Sequence, residues 1–287
     1  MVELKGWIKD KYDDRDYIFK PRAAPLPPSV NLLDMLPEVR NQFDVGACTG
    51  FSIGGNLTAI AKQQGFYEEW FSPAFIYNGA RYLEGTLLKD VGAEPRNCLK
   101  WVQKSGALLE HLWPYDGWKL DTTVPSSSLI AQALKFVTFN YYRITDGAYG
   151  IMSALAHNHL VSLGCPWFDK WYAPPADGIL SKVNKDDEIL GGHATLLWGY
   201  DNDVLHGRNS WGREWGCKGN FAMCMNSLDV FKQLGGYDAY YIELSLSPQA
   251  TPVTPAPQGC TCSQAVLSMV RTFNRAKRAV KYFKEGK

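Results

Sequence analysis

Apolar and polar positions change their period about halfway along the chain. Residues 48–64 place Phe51, Ile53, Leu57, Ile60 and Ala61 around a narrow polar stripe of Thr49, Ser52, Asn56 and Gln63. That pattern predicts a helix buried on most sides. Gly54 and Gly55 lower its helix propensity, which predicts that another backbone approaches there. Gly65 is a fitting stop. Ser72-Pro73 reads as an N-cap followed by a first-turn proline, opening a second helix. Residues 94–105 read as a third, closed by Gly106.

From about Val124 the pattern becomes strand-like. Phe136–Arg143, Leu160–Phe168, Ala194–Tyr200, Val204–Arg208 and Asn220–Met225 read as strands, with a short helix over 147–157. Asp201-Asn202-Asp203 is the turn between the third and fourth of these strands. A helical first half and a largely antiparallel second half predict an α+β protein of two lobes.

The two ends read differently. Residues 1–25 form an N-terminal arm within a polar, then proline-rich strap, whose Pro21, Pro25, Pro27 and Pro28 exclude a helix. The plainer reading is a simple arm; the sharper one is a segment lying across a cleft. Residues 248–259 hold four prolines and no charge, the composition of a semi-rigid linker. Within 260–287, Ser263 caps a helix over 263–285, with Val266, Met269, Val270, Phe273, Ala276, Val280 and Phe283 on one face and basic residues opposite. This tail carries seven Lys/Arg against one acid, so the net +1 of the chain splits into +6 there and −5 over 1–259. Docking to another protein or assembly, packing on the chain's own acidic body, and an anionic membrane surface all stay open, the membrane being less favoured. Nucleic acid is disfavoured, because no aromatic pattern interleaves the basic residues.

The opening Met-Val-Glu-Leu-Lys-Gly-Trp lacks the apolar run of a secretory signal, and no apolar stretch is long enough for a membrane span. The expected location is cytoplasmic or within a larger assembly. The seven cysteines (48, 98, 165, 217, 224, 260 and 262) are then expected to be mostly reduced thiols. Cys217 and Cys224 could face each other, but free thiols are expected. Cys260 and Cys262 make at most a weak half-site, and His157-Asn158-His159 lacks a nearby acid or Cys partner. No metal and no cofactor are expected.

One stretch carries stronger chemistry. Asn41-Gln42-Phe43-Asp44-Val45-Gly46-Ala47-Cys48 delivers a cysteine to a helix N-terminus, where unpaired N–H groups and the helix dipole favour thiolate. The Gln42 amide lies six residues upstream, within reach of an oxyanion formed at the sulfur. A thiol nucleophile needs a base and a group that orients it. His111 reads as an ordinary histidine, and His206 stands on the face of its strand opposite Asn209. His193 follows Gly191-Gly192 and is expected to open an apolar strand, exposed where glycine gives room. The following hairpin returns Asn209-Ser210-Trp211-Gly212 to the same end. Asn209 can accept the imidazole N–H there, with Trp211 and Gly192 as supporting residues and Trp211 shielding that bond.

Taken in order, Asn41-Gln42 with Cys48, Gly191-Gly192-His193-Ala194, and Asn209-Ser-Trp-Gly-x-x-Trp-Gly216 followed by Gly219-Asn220-Phe221 resemble the papain-like cysteine peptidases. The Cys-to-His and Cys-to-Asn separations of 145 and 161 residues fit that family. The resemblance covers about Leu26 to Leu246. It implies a papain-like two-lobed fold over 26–247, a helical left lobe (about 26–120) and an antiparallel β-barrel-like right lobe (about 121–247), with the cleft between. It also implies a Cys48 nucleophile, His193 as base and acid, Asn209 as orienter and Gln42 in the oxyanion hole. The thiol is expected to be depressed, as in papain, where it titrates at roughly 3–4. Protein or peptide would be the substrate, and part of Leu234–Tyr240 would line the main side-chain pocket. Two positions depart from the pattern: Val45 stands where a disulfide cysteine is usual, and Thr49 where a Trp usually follows the nucleophile. A second class stays open, an assembly component that keeps this fold with little activity and is anchored by its C-terminal helix.

Overall fold

The computed structural model describes residues 4–21, 24–65, 69–136 and 139–244. The linker 248–259 and the helix expected at 263–285 lie outside the described residues, as do Cys260 and Cys262.

Helix α1 (Cys48–Gln63) begins at the cysteine, and 13 of its 16 residues are buried, as its narrow polar stripe requires. Gly50 faces the Pro73 carbonyl, where an added Cβ would come within 2.5 Å, and Gly54 lies under the Phe71 carbonyl. The close approach therefore comes from the start of α2 (Pro73–Glu84). Ser72 caps α2 by accepting the Phe75 N–H, and Gly85 ends it in a left-handed conformation. Helix α3 (Pro95–Ser105) closes at Gly106. The three helices surround a core of Phe71, Phe75, Tyr77, Leu99, Trp101 and Trp113. Val45 is buried in that core.

A fourth helix, α4 (Ser127–Ala133), stands where no element was expected, and its Ala133 joins the same core. The Ser126 hydroxyl accepts the Leu129 N–H, a local cap inside a run of serines.

The second lobe is built on one sheet. After β1 (Leu4–Lys5) and β2 (Ser29–Asn31) come β3 (Phe139–Arg143), helix α5 (Gly147–Ala156), β4 (Val161–Phe168), β5 (Ile189–Asp201), β6 (Val204–Arg208), β7 (Asn220–Cys224), helix α6 (Ser227–Gln233) and β8 (Asp238–Leu244). The strand order is β3-β8-β4-β5-β6-β7, with β1 and β2 added on β5. All pairings are antiparallel except β1 on β5. Strands β3 and β7 end the path without pairing with each other, so the sheet does not close. Trp167, Phe168, Trp171, Tyr200, Phe221 and Phe231 fill its core.

Two features differ from expectation. Strand β5 is 13 residues long, so His193 stands within it rather than opening it, with Cys165 as its cross-strand partner. The reason is pairing: β4 holds β5 back to Ile189, and β1 adds to Gly191 and Gly192. Elements α6 and β8 were not expected either; both are seven residues long, and β8 is buried along most of its length.

Candidate active site

Cysteine 48 reaches its position because Gly46 turns tightly into α1. The Gly46 N–H donates to both carboxylate oxygens of Asp90, at 3.2 and 3.0 Å, and the Tyr77 hydroxyl holds Asp90 Oδ1 at 2.7 Å. Across the lobe boundary, β5 brings the Ala194 N–H to the sulfur, at 3.3 Å. The preceding residue is His193. Its Nε2 bonds to Asn209 Oδ1 at 2.7 Å. The Ser210 N–H donates to the same oxygen at 2.7 Å, so the amide orientation of Asn209 is fixed, oxygen toward His193 and nitrogen away. Asn209 is delivered by β6 and tied to Gly219 O through its own N–H. The expected hairpin brings Asn209 to His193, and Cys48 lies against the next residue, Ala194.

Two tryptophans enclose the imidazole. Trp211 lies 4.6 Å from its ring centroid and Trp167 4.8 Å, edge-on. Trp167 comes from β4, and sequence reading did not single it out; its signal is the strand register, two residues beyond Cys165. Gln42 is buried beside the site. Its Nε2 donates to Val45 O at 3.0 Å, leaving a second N–H, while its Oε1 accepts from the Ser210 hydroxyl at 2.6 Å. The other histidines are engaged elsewhere: His111 with Glu69, His157 with Ser153 O, His159 stacked on Tyr241, and His206 with Asp201. Among the described residues no group of three or more His, Cys, Asp or Glu could hold a metal ion. Cys98, Cys165, Cys217 and Cys224 are free thiols, like Cys48.

The site is covered. Residues Leu4–Asp10 run along both walls. Trp7 N–H donates to Gly192 O at 3.0 Å, Ala93 N–H to Gly6 O at 2.9 Å, and Ile8 N–H to Ala93 O at 3.1 Å. Gly6 lies directly on Cys48: a Cβ there would come within 2.4 Å of Cys48 Sγ, which only glycine avoids. The Trp7 side chain lies against Gly164 and Gly192, and its indole N–H donates to Asp238 Oδ2 at 2.9 Å.

Beyond Trp7 the strap is anchored by charge. Asp10 N–H also donates to Asp238 Oδ2, the Tyr240 hydroxyl donates to Asp10 Oδ2 at 2.7 Å, and Arg96 N–H donates to Asp10 Oδ1 at 3.1 Å. The Arg96 guanidinium grips Asp16 at 2.5 and 2.8 Å and Lys11 O at 2.5 Å. Arg143 bridges Asp16 and Asp238.

This cover reverses one expectation. Cys48 has no exposed surface and His193 only 1%. Burial pushes the thiol up to about 12, against the pull of the Ala194 N–H, and pushes the imidazole down to about 4. The closed state thus holds a neutral thiol and a neutral imidazole. The expected depressed thiol belongs to a solvated cleft, where an imidazolium is affordable.

Beside the covered centre a cleft of about 610 Å³ stays open, lined by Gln42, Phe43, His193, Trp211, Tyr172 and Trp215 among others. The Phe43 and Trp118 rings lie 4.7 Å apart, tilted by 30°.

A sequence profile described as "Papain family cysteine protease" matches residues 26–234. This chain belongs to that family. It is 28% identical to an uncharacterized peptidase C1-like protein, L477, of Acanthamoeba polyphaga mimivirus, the alignment covering 76% of this chain and 80% of the relative. In structure it is similar to xylellain, a cysteine protease from Xylella fastidiosa, with a TM-score of 0.76, 26% identity, and coverage of 85% of this chain and 97% of xylellain. Digestive procathepsin L 3 of Tenebrio molitor shares the fold at a TM-score of 0.63 and 19% identity, over 84% of this chain and 76% of that one. No described helix is long and apolar enough to cross a membrane.

Proposed function

We propose that the chain is a cysteine endopeptidase that cleaves peptide bonds in protein or peptide substrates through Cys48, His193, Asn209 and Gln42, and that residues 4–19 hold it latent. In the open enzyme Cys48 Sγ, as thiolate, attacks the scissile carbonyl carbon. The oxyanion receives the Cys48 backbone N–H and the second N–H of Gln42 Nε2. With Nε2 committed to Asn209 Oδ1, His193 uses Nδ1 to give its proton to the leaving amine. A water, deprotonated at the same nitrogen, then hydrolyses the thioester and returns the thiolate beside a cationic imidazole. A neutral Asn suits this work, because the ring is cationic before the reaction starts and needs orienting rather than a counter-charge.

The observation that carries the reading is the chain of contacts from Cys48 Sγ to the Ala194 N–H at 3.3 Å and from the adjacent His193 to Asn209 at 2.7 Å. The strap is the reason to expect latency: Gly6 sits where a substrate carbonyl must approach.

The test labels the full chain with a thiol-directed epoxide and follows casein cleavage. Wild type is expected to label slowly at Cys48, an Arg96→Ala variant with a loosened strap quickly, and Cys48→Ala not at all at that position. Casein fragments should appear in step with labelling. If Cys48 stays unlabelled in Arg96→Ala while the fold is intact, the peptidase reading fails and an assembly role takes its place.

A further inference from the structure

The slot that seats Trp7 is made by three neighbouring strands. Gly164 on β4 lies between its cross-strand partners, Ala194 on β5 and Asp238 on β8. A Cβ on Gly164 would come within 2.2 Å of the Trp7 ring, and one on Gly192 within 3.0 Å of it. Two missing side chains therefore make the space. Its polar end is the Asp238 carboxylate, which has no exposed surface.

The two oxygens of that carboxylate have different partners. Oδ1 accepts from Arg143, a residue of the sheet, at 2.7 Å. Oδ2 accepts the Trp7 indole N–H at 2.9 Å and the Asp10 N–H at 2.8 Å, both from the strap. When the strap leaves, Oδ2 loses both donors and faces a ring-shaped space. A buried acceptor left unmet is costly, so an occupant that restores a donor is favoured over one that only fills the slot.

The slot also lies at a telling place along a bound chain. Gly6 covers Cys48 Sγ, and Trp7 is the next residue. The groups that hold this stretch, Gly192 O, Ala93 N–H and Ala93 O, are all backbone and read no side chain. Discrimination between chains then falls to the slot. Charge decides which donor suits it. Arg143 already pairs with Asp238, and Arg96 loses Asp16 on release, so a guanidinium would enter beside cations. A neutral ring N–H would not.

We infer that this slot selects polypeptide substrates with a tryptophan next to the residue held at Cys48, Asp238 Oδ2 accepting the indole N–H. The inference rests on the reading above, in which the strap leaves and a substrate takes its place.

The test uses the full chain carrying Trp7→Ala and Asp16→Ala, which strips the strap of two anchors and keeps every slot residue. Acetyl-Gly-Gly-Xaa-Gly-Gly-amide peptides, with Xaa as Trp, Phe or Arg, compete with the epoxide for Cys48. That readout of binding needs no turnover; cleavage of the same peptides is followed by mass spectrometry. The Trp peptide is expected to protect at about 10–10²-fold lower concentration than Phe or Arg, the range of a hydrogen bond to a charged group. Its kcat/KM should be higher by a similar factor.

Adding Asp238→Asn turns the amide oxygen to Arg143 and its nitrogen toward the indole N–H, so the Trp-to-Phe ratio should fall to about one. Gly164→Ala fills the slot without altering Asp238 and should remove the Trp preference by itself, which keeps the test decisive if Asp238→Asn does not fold. Equal protection by Trp and Phe, a preference for Arg, or a Trp preference that survives Gly164→Ala would overturn the inference and leave the peptidase reading standing. Trp-selective protection with no peptide cleaved would support the slot and overturn the peptidase reading. A Cys48 that stays unlabelled in this variant would overturn both.

Discussion

The two halves of the cleft are built on opposite principles. The covered half is filled by the chain itself: Gly6 on Cys48, Trp7 against Gly164 and Gly192, and Asp10 among Asp238, Tyr240 and Arg96. Its contacts are buried, charged and bonded to residues about 90 or 230 positions away. The open half has Trp211, Trp215 and Tyr172 in its lining beside polar Gln42, Asp44 and Asp90. One half is therefore ready for a partner and the other must first be vacated. Latency and catalysis then draw on different residues, and substitutions should separate them.

The largest separation is expected from Arg96→Ala. Every side-chain hydrogen bond of Arg96 goes to the strap, to Asp16 and Lys11 O, and the Arg96–Asp16 pair is 3% exposed on both sides. Removing one partner of a buried pair costs about 3–5 kcal/mol. Here that cost falls on strap docking, so epoxide labelling of Cys48 should quicken by about 10²-fold or more. A thiol no faster to label than wild type would mean that the strap is held elsewhere.

Gln42→Ala acts on the other half. It removes the proposed oxyanion donor, whose side-chain hydrogen bonds go to Val45 O and the Ser210 hydroxyl, so kcat should fall by about 10²–10³-fold, or 2.7–4 kcal/mol in the barrier. Measured in the Arg96→Ala background, its labelling rate should change far less than its turnover. A parallel loss of both would place Gln42 in the architecture of the Cys48 turn rather than in the oxyanion hole.

Trp7→Phe is the finer cut. It keeps an aromatic ring against Gly164 and Gly192 but deletes the indole donor to Asp238. A hydrogen bond to a charged group contributes about 1.5–3 kcal/mol, so strap docking should weaken by about 10–10²-fold, read by the same labelling assay. An unchanged rate would show that ring burial alone seats Trp7.

What was legible in the sequence follows the range of the causes. The Ser72-Pro73 start, the Gly65 and Gly106 stops and the helix opening at Cys48 are decided within a few residues, and they fall where the pattern puts them. The hairpin that brings Asn209 to His193 is local too. The burial of His193 was not legible, because it comes from Trp167 on the neighbouring strand and from a strap paired across the whole chain. Asp238 is the sharpest case. It stands in a stretch expected to line the side-chain pocket, yet its role as the strap's acceptor depends on Trp7 and Asp10, 231 and 228 positions away. No periodicity carries such a pairing.

The last way to test the comparison is pH. Asp10 is raised to about 7 in the docked strap, chiefly by burial and then by the charge of Asp238, against the opposing pull of Tyr240 and Arg96. Asp238 is raised in the same direction by burial, while Arg143 holds it down. Lys9, which also pulls Asp238 down, and Asp16, bridged by both arginines, face the same cluster. A released strap returns Asp10 to water and to the ordinary carboxylate value of about 3.9. Docking therefore favours the protonated acid: its contribution is complete below about 4 and is lost as pH rises through about 7. Between those limits the docking constant should fall by at most tenfold per pH unit, one proton's worth of linkage. Thiol ionisation also rises with pH, so the useful measure is the ratio of labelling rates between wild type and Asp10→Asn. That variant cannot ionise, and the ratio should climb from pH 4.5 to pH 7 and then level. A flat ratio would mean that Asp10 stays charged in its buried seat, with Arg96 supplying the counter-charge, and that the covered half of the cleft is insensitive to acid.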